Sequence, residues 1–351
     1  MGARAYFEYG GRRLYVEGRA VYSLEEAVAE AQRGRAVVGV FAFDAVSPWD
    51  DGFRPPPRPG WPTYLFVVGE EGEPPAWGGD YGARLVYEEP RGLFERRVAE
   101  AKRALEAGEV FQLVVARFRQ YRFAGSPEAL FNAVRRAVGG KYYYFVEVDG
   151  LFLVGASPET LVSCWGGRAV SGPIGGTRPR GRTPEEDAAL ETELRESVKD
   201  RAEHIMLVDS VRNDLGRVCR WGAVSVSSML AVEKYSHYQH LVSYVECQLD
   251  KFYRPVDAVR ALNPTTTVSG VPKPRALELL SQLEEPRGPF AGSVGVVARD
   301  GVEFAVVIRS VYGIDGDLYL WAGAGIVTDS KPHAEWEETE VKMAPLAKLL
   351  T

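Results

Sequence analysis

Two strand-like runs, Tyr142 to Val148 and Leu151 to Val154, meet across the dipeptide Asp149-Gly150, and this junction constrains the fold more than any other stretch of the chain. An Asp-Gly pair suits the left-handed backbone of a two-residue hairpin turn, so the flanking runs pair antiparallel. Further strand patterns at Val110 to Arg117, Val294 to Ala298, Glu303 to Ile308 and Leu318 to Trp321 come in runs, with no regular βαβ alternation. An α+β fold built on antiparallel sheet is therefore expected.

The helices announce themselves by their ends. Ser23 and Glu26 form a capping box, and Thr183-Pro-Glu-Glu186 adds proline at the first helical position. Phe94, Val98, Ala101 and Leu105 recur at helical spacing until Gly108. A pattern through Asp200, Glu203, Leu207 and Val211 runs to Gly216 with a break ahead of it, and a last helix is entered from Asp329-Ser330. Residues 1 to 70 read as a peripheral layer of short strands and turns, with Arg54 to Gly60 a surface loop.

Composition narrows the classes. At 351 residues the chain holds one large domain or two smaller ones. No apolar run approaches the roughly 20 residues a spanning helix needs, so a membrane protein is not expected. The N-terminus lacks the apolar stretch of a secretory signal. Cys164, Cys219 and Cys247 are odd in number and contain no CxxC pair, which argues against a disulfide framework and a thiolate metal site and suits a reducing cytoplasm. A formal net charge of -6 disfavours a nucleic-acid partner.

Two carboxylate pairs, Asp200 with Glu203 and Glu335 with Glu338, each share one helix face. Four oxygen donors without thiolate or paired imidazole suit a hard cation such as magnesium; the alternative for either pair is a solvated acidic face. Lys342 follows on the second face. Gly172 to Arg182 offers backbone N–H groups to an anion but lacks the Gly-Lys-Ser/Thr ending of a nucleotide loop. Gly323 and Gly325 permit close backbone approach, His240 is either a proton carrier or a structural histidine, and Arg309 closes a strand where an anion would explain it.

Taken in order, the motifs resemble one family. They are Gly108-Glu-Val-Phe-Gln-Leu-Val114, Ala156-Ser-Pro-Glu159, Pro173-Ile-Gly-Gly-Thr-Arg178, Asp200 to Asp209, Arg212-Asn-Asp214 and His240-Leu-Val-Ser243. Thr267-Val-Ser-Gly-Val-Pro-Lys273, Ile308-Arg309, Gly323 to Ser330 and Glu335 to Lys342 complete the set. From residue 90 onward the chain resembles the chorismate-utilising enzymes, and among them the anthranilate synthase large component. Val38 to Ala45 resembles the family's N-terminal strand, with Phe43 in place of Tyr.

The resemblance implies two large antiparallel sheets with helices outside and the active site in a central cleft. Residues 1–90 would be a shortened N-terminal layer of the same fold and residues 91–351 the chorismate-binding catalytic region. It implies that Glu203 and Glu338 ligate Mg2+ with Asp200 and Glu335 in an outer shell, that Glu159 protonates the departing hydroxyl, and that His240 assists proton loss. Thr177 and Thr267 would line the ring-carboxylate end, while Arg309, Gly323, Gly325 and Lys342 receive the second carboxylate. Phe290 stands where the family usually has a Tyr that donates to that carboxylate. Gln112, where water-activating relatives carry Lys, together with Gly175 and Thr267-Val-Ser-Gly270, favours amination at C2 over isochorismate or aminodeoxychorismate formation. No cysteine lies in a glutaminase Gly-x-Cys-x-Gly turn, so ammonia would come from solution or from a separate glutamine amidotransferase subunit in a hetero-oligomer.

The rivals are an aminodeoxychorismate or aminodeoxyisochorismate synthase and a catalytically inactive binding homologue. Finally, Tyr15 to Gly18 and Val138 to Tyr144 fall where the family's LLES and NPSPYMF effector motifs would lie and match neither, so tryptophan feedback is not expected.

Overall fold

The computed structural model describes residues 2–50, 53–235 and 238–351. In chain order the strands are β1 (Ala3–Tyr9), β2 (Arg12–Val21), β3 (Ala36–Phe41), β4 (Tyr64–Gly72), β5 (Tyr81–Glu88), β6 (Gln112–Gly125), β7 (Tyr142–Val148), β8 (Leu151–Ser157) and β9 (Thr160–Trp165). They continue as β10 (Arg168–Gly172), β11 (Ile174–Pro179), β12 (Ser225–Lys234), β13 (Tyr238–Gln248), β14 (Gly270–Val271), β15 (Ser293–Val297), β16 (Gly301–Val306), β17 (Ser310–Ile314) and β18 (Asp317–Ile326). The helices are α1 (Leu24–Gln32), α2 (Arg91–Glu106), α3 (Pro127–Ala137), α4 (Pro184–Glu196), α5 (Val198–Gly216), α6 (Pro255–Leu262), α7 (Lys273–Leu283) and α8 (Pro332–Ala347).

The expected caps are present. Ser23 accepts from Glu26 N and Thr183 from Glu186 N, and the break after α4 falls at Ser197, which caps α5 by accepting from Asp200 N. Asp149 and Gly150 both have positive φ, and β7 pairs with β8 as their turn requires.

The fold is α+β and every strand pairing is antiparallel. One path of hydrogen bonds runs β5-β6-β18-β17-β8-β7-β1-β2 and continues β4-β3-β15-β16-β9-β10-β13-β12. The two sheets implied by the resemblance are thus the halves of one network, joined where β2 meets β4. Gly18 opposes Gly69 there, and a Cβ on either would lie about 2 Å from a backbone oxygen of the other strand. Glycine alone allows that approach. Helices α2 and α8 cover β6 and β18, α3 covers β7 and β8, and α5 lies on β11 and β13.

Two readings of the sequence are corrected. Residues 1–70 are not peripheral: β1 is inserted between β2 and β7, and β3 is paired with β15. Their short apolar runs look like edge material because the partners lie far away in sequence. The second correction concerns cysteine. Cys219 and Cys247 form a disulfide across 28 residues, with Cα atoms 6.0 Å apart. The chain leaving α5 bridges Leu249 beside the end of β13, which aligns two cysteines that share no motif. Cys164 is free and buried, and burial pushes its thiol up to about 11.

Candidate active site

Every candidate site residue lines one cavity of about 850 Å³: Gln112, Glu159, Thr177, Asp200, Glu203, His240, Thr267, Phe290, Arg309, Gly323, Gly325, Glu335, Glu338 and Lys342. Gly139, Arg178, Lys199 and Tyr238 line it as well and were not assigned a role. Of these Arg178 lay inside one of the matching motifs and Gly139 inside the Val138 to Tyr144 segment.

Glu159 sits at the turn between β8 and β9, where the chain crosses from one half of the network to the other. Its backbone is pinned on both sides, with its N–H donating to Ser157 Oγ at 3.2 Å and its carbonyl accepting from Val306 N at 3.1 Å. Thr267 Oγ1 donates to its Oε1 at 2.7 Å. Burial pushes the carboxyl up to about 7, against smaller opposing effects of Thr267, the Ile174 backbone and Arg309. A carboxyl so placed is protonated at neutrality in a substantial fraction of molecules, as a general acid must be.

His240 on β13 faces Thr177 on β11 across a bulge at Gly176, whose φ is +57°. Arg309 Nη2 lies 3.1 Å from His240 Nε2, and Thr177 Oγ1 lies 3.0 Å from Nδ1. A guanidinium has no acceptor, so Nε2 carries the lone pair and Nδ1–H donates to Thr177. Burial, then the Arg309 charge, push the imidazole down to about 3. Arg309 lies in the turn between β16 and β17 with φ of +51°, a conformation that arginine adopts at a cost, and its guanidinium stands 5.0 Å from the Tyr238 ring centre. Burial lowers its own pKa.

The carboxylates come from α5 and α8. Asp200 accepts from Arg178 Nη2 at 3.0 Å. Glu203 Oε1 is buried with no hydrogen-bond partner, 3.7 Å from Lys199 Nζ. Burial raises the Glu203 carboxyl; Lys199 opposes this, and Asp200, Glu338 and Glu335 add to it. Glu335 is also raised, by burial first, with Ser330 opposing and Glu338 adding. Glu338, half-exposed, accepts from Lys342 Nζ at 2.7 Å, and Lys342 also donates to Gly323 O at 2.8 Å.

Among the described residues no three His, Cys, Asp or Glu side chains already stand close enough to hold a metal ion. The chemistry of the acidic group nonetheless fits a hard divalent cation. Burial first, and then neighbouring carboxylates, raise Glu203 and Glu335, the buried Glu203 Oε1 has no hydrogen bond, and Arg178, Lys199 and Lys342 stand against the group.

At the other end Gly323 and Gly325 lie on β18. A Cβ on Gly325 would meet Gln112 Nε2 at 2.6 Å, so the glycine leaves room for an amide whose Oε1 is itself buried without a partner. Phe290 is buried and stacks on Trp321, with ring centres 5.7 Å apart. Two of the three arginines of the 172–182 segment are engaged in ion pairs, Arg178 with Glu193 and Asp200 and Arg180 with Asp187. No helix among the described residues is long and apolar enough to cross a membrane.

The sequence pattern of the chorismate binding enzyme family matches residues 82–348. The chain is 44% identical over 274 residues to anthranilate synthase component 1 of Saccharolobus solfataricus, covering 76% of this chain and 65% of that protein. It is 45% identical over 268 residues to the component 1 of Aeropyrum pernix, covering 76% of this chain and 61% of that one. It therefore spans less than two thirds of the length of these relatives. Among solved structures, anthranilate synthase component I of Streptococcus pneumoniae superposes with a TM-score of 0.79 at 26% identity, covering 98% of this chain and 89% of that one.

Proposed function

The chain belongs to the chorismate binding enzyme family, and on that premise we propose that it converts chorismate and ammonia to anthranilate, pyruvate and water, as a lyase of tryptophan biosynthesis. One observation carries the mechanism: a buried carboxyl held near 7, Glu159, shares its cavity with a neutral imidazole and two cations, Arg309 and Lys342. The names of the relatives at 44% and 45% identity support the choice of product.

Ammonia attacks C2 of the ring while Glu159 gives its proton to the C4 hydroxyl, which leaves as water. Thr267, bonded to Glu159, orients that proton. Loss of the C2 proton then breaks the bond to the enolpyruvyl oxygen and releases pyruvate. His240 is the base for this step, in the tautomer fixed by Thr177. Arg309 and Lys342 bind the enolpyruvyl carboxylate, with Gly323 and Gly325 allowing its close approach. A magnesium ion held by Glu203 and Glu338, with Asp200 and Glu335 behind them, would neutralise and orient the ring carboxylate.

The ammonia source belongs to the same reading. Component 1 names a subunit of a larger enzyme, and here Cys164 is buried while Cys219 and Cys247 are joined, so none is a free glutaminase nucleophile. A separate glutamine amidotransferase subunit is the partner we infer. A cytoplasmic location is part of the proposal, with the disulfide as the observation against it.

The test is turnover of chorismate with ammonium and magnesium. Fluorescent anthranilate and equimolar pyruvate are expected. An amino product without pyruvate would identify an aminodeoxychorismate or aminodeoxyisochorismate synthase, and no turnover an inactive binding homologue.

A further inference from the structure

His204 follows Glu203 on α5 and is fully buried. It sits outside the cavity lining, behind the strands that form one wall. Its Nε2 lies 2.7 Å from Ser243 Oγ, on β13 three residues beyond His240, and that hydroxyl also accepts from Leu230 N at 3.0 Å. The imidazole presses against β11 at the same time. A Cβ added to Gly175 would stand 2.5 Å from Nδ1 and 3.1 Å from the Cβ and Cγ of His204. Gly175 is two residues before Thr177, the hydrogen-bond partner of His240. One side chain therefore touches the helix that carries Glu203 and both strands that carry the Thr177–His240 pair.

The bland explanation is a core histidine that fills space. Against it, Nδ1 is buried with no hydrogen-bond partner, a defect that leucine or methionine of similar bulk would not have. Space-filling favours the apolar residue. What histidine adds is a directional bond to Ser243, and that bond fixes how far α5 lies along β13. A shift of α5 along its axis would carry Glu203 with it and change its distance from the His240 wall.

We propose that His204 is a positioning residue, which through Ser243 and Gly175 holds Glu203 in register with the His240–Thr177 side of the cavity. The proposal rests on the reading that the acidic group of α5 and α8 takes a divalent cation.

The experiment measures Mn2+ binding to the full-length metal-free chain by electron paramagnetic resonance, with thermal unfolding recorded beside it. His204→Leu removes the bond, Ser243→Ala removes it while leaving the imidazole, and His204→Gln keeps an amide within reach of Ser243. Loss of a bond that orients a ligand typically weakens metal affinity by about 10-fold or more. Weakening of that size is expected for Ser243→Ala and His204→Leu, no further loss for the double variant, and near wild-type binding for His204→Gln. Gly175→Ala, which pushes the imidazole off its seat, is expected to resemble His204→Leu. Wild-type Mn2+ affinity in Ser243→Ala would overturn the proposal, and so would equal loss in His204→Gln and His204→Leu. Wild-type protein that binds no Mn2+ would overturn the cation reading and this proposal with it, a result distinct from the other two.

Discussion

In the resting cavity Arg309 Nη2 donates to His240 Nε2 at 3.1 Å, so the lone pair that must take a proton is engaged by a guanidinium. A substrate carboxylate that draws Arg309 toward itself would release that lone pair and offset the charge depressing the imidazole. Carboxylate binding and base strength are thereby linked through one side chain. Arg309→Gln removes the positive neighbour, and the imidazole pKa should rise from about 3 while staying below its ordinary value, because burial is the larger cause. Nuclear magnetic resonance titration of His240 measures this, and the chorismate KM of the variant should increase. An unmoved imidazole would break the link.

Glu159 sets the pH dependence. Its folded pKa of about 7 lies above the ordinary carboxylate value, so the proton it donates is present below neutrality and lost as pH rises through 7. Since His240 stays neutral down to about 3, it contributes no acid limb in the working range. The value of kcat/KM for chorismate, followed from about pH 6 to about pH 9 at constant free ammonia, should fall with a single-proton slope above neutrality. Glu159→Gln should abolish turnover. A rate rising with pH would remove Glu159 from the acid role.

Phe290 lacks the hydroxyl of the tyrosine that the family resemblance implies at this position, and its ring is buried on Trp321 beside the cavity. A hydrogen bond to a charged group contributes about 1.5–3 kcal/mol when well formed. Phe290→Tyr should therefore lower the chorismate KM. An unchanged or higher KM would show that Arg309 and Lys342 already satisfy that carboxylate.

Tryptophan feedback should be absent. Tyr15 on β2 and Phe145 in the middle of β7 flank Tyr6 of β1, and Trp77 packs against all three, with ring centres 5.1 Å from Tyr6, 6.2 Å from Tyr15 and 5.5 Å from Phe145. An indole already supplied by the chain leaves little room for a second. The ammonia-dependent rate at subsaturating chorismate should stay flat from micromolar to millimolar tryptophan. Half-inhibition at micromolar levels would show an effector site elsewhere.

The Cys219–Cys247 bridge closes a 28-residue separation. Loop entropy alone gives about 3–4 kcal/mol for a loop of that size. Reduction, or Cys247→Ser, should lower Tm without changing which product forms. Thiol counting on unfolded, unreduced protein should find Cys164 alone; three free thiols would mean the bridge does not form in solution.

Local features were the legible part of this chain. Asp149-Gly150 and the Ser23 and Thr183 caps each act within a few residues, so the sequence displays both the signal and its consequence. The assembly of Glu159, Thr267, His240 and Arg309 was readable only through family resemblance, because more than a hundred positions separate some of these partners. His204 was passed over since one histidine in a helix looks structural until Gly175 is found against it. The place of β1–β4 and the Cys219–Cys247 bridge depend on pairings that no local pattern encodes.

The continuous ribbon of strands also governs the order in which the chain can assemble. During synthesis β3 can pair with β4 soon after it emerges, but its other edge stays open until β15 has been made, more than two hundred residues later. Likewise β16 must thread beside β9, and β17 beside β8, after long intervals. Such distant pairings carry a loop-closure cost that local ones avoid, which makes folding slow and leaves apolar edges exposed meanwhile. The N-terminal strands keep an unpaired edge over that interval, and native structure at the Glu159 crossing is completed only when the last third of the chain arrives.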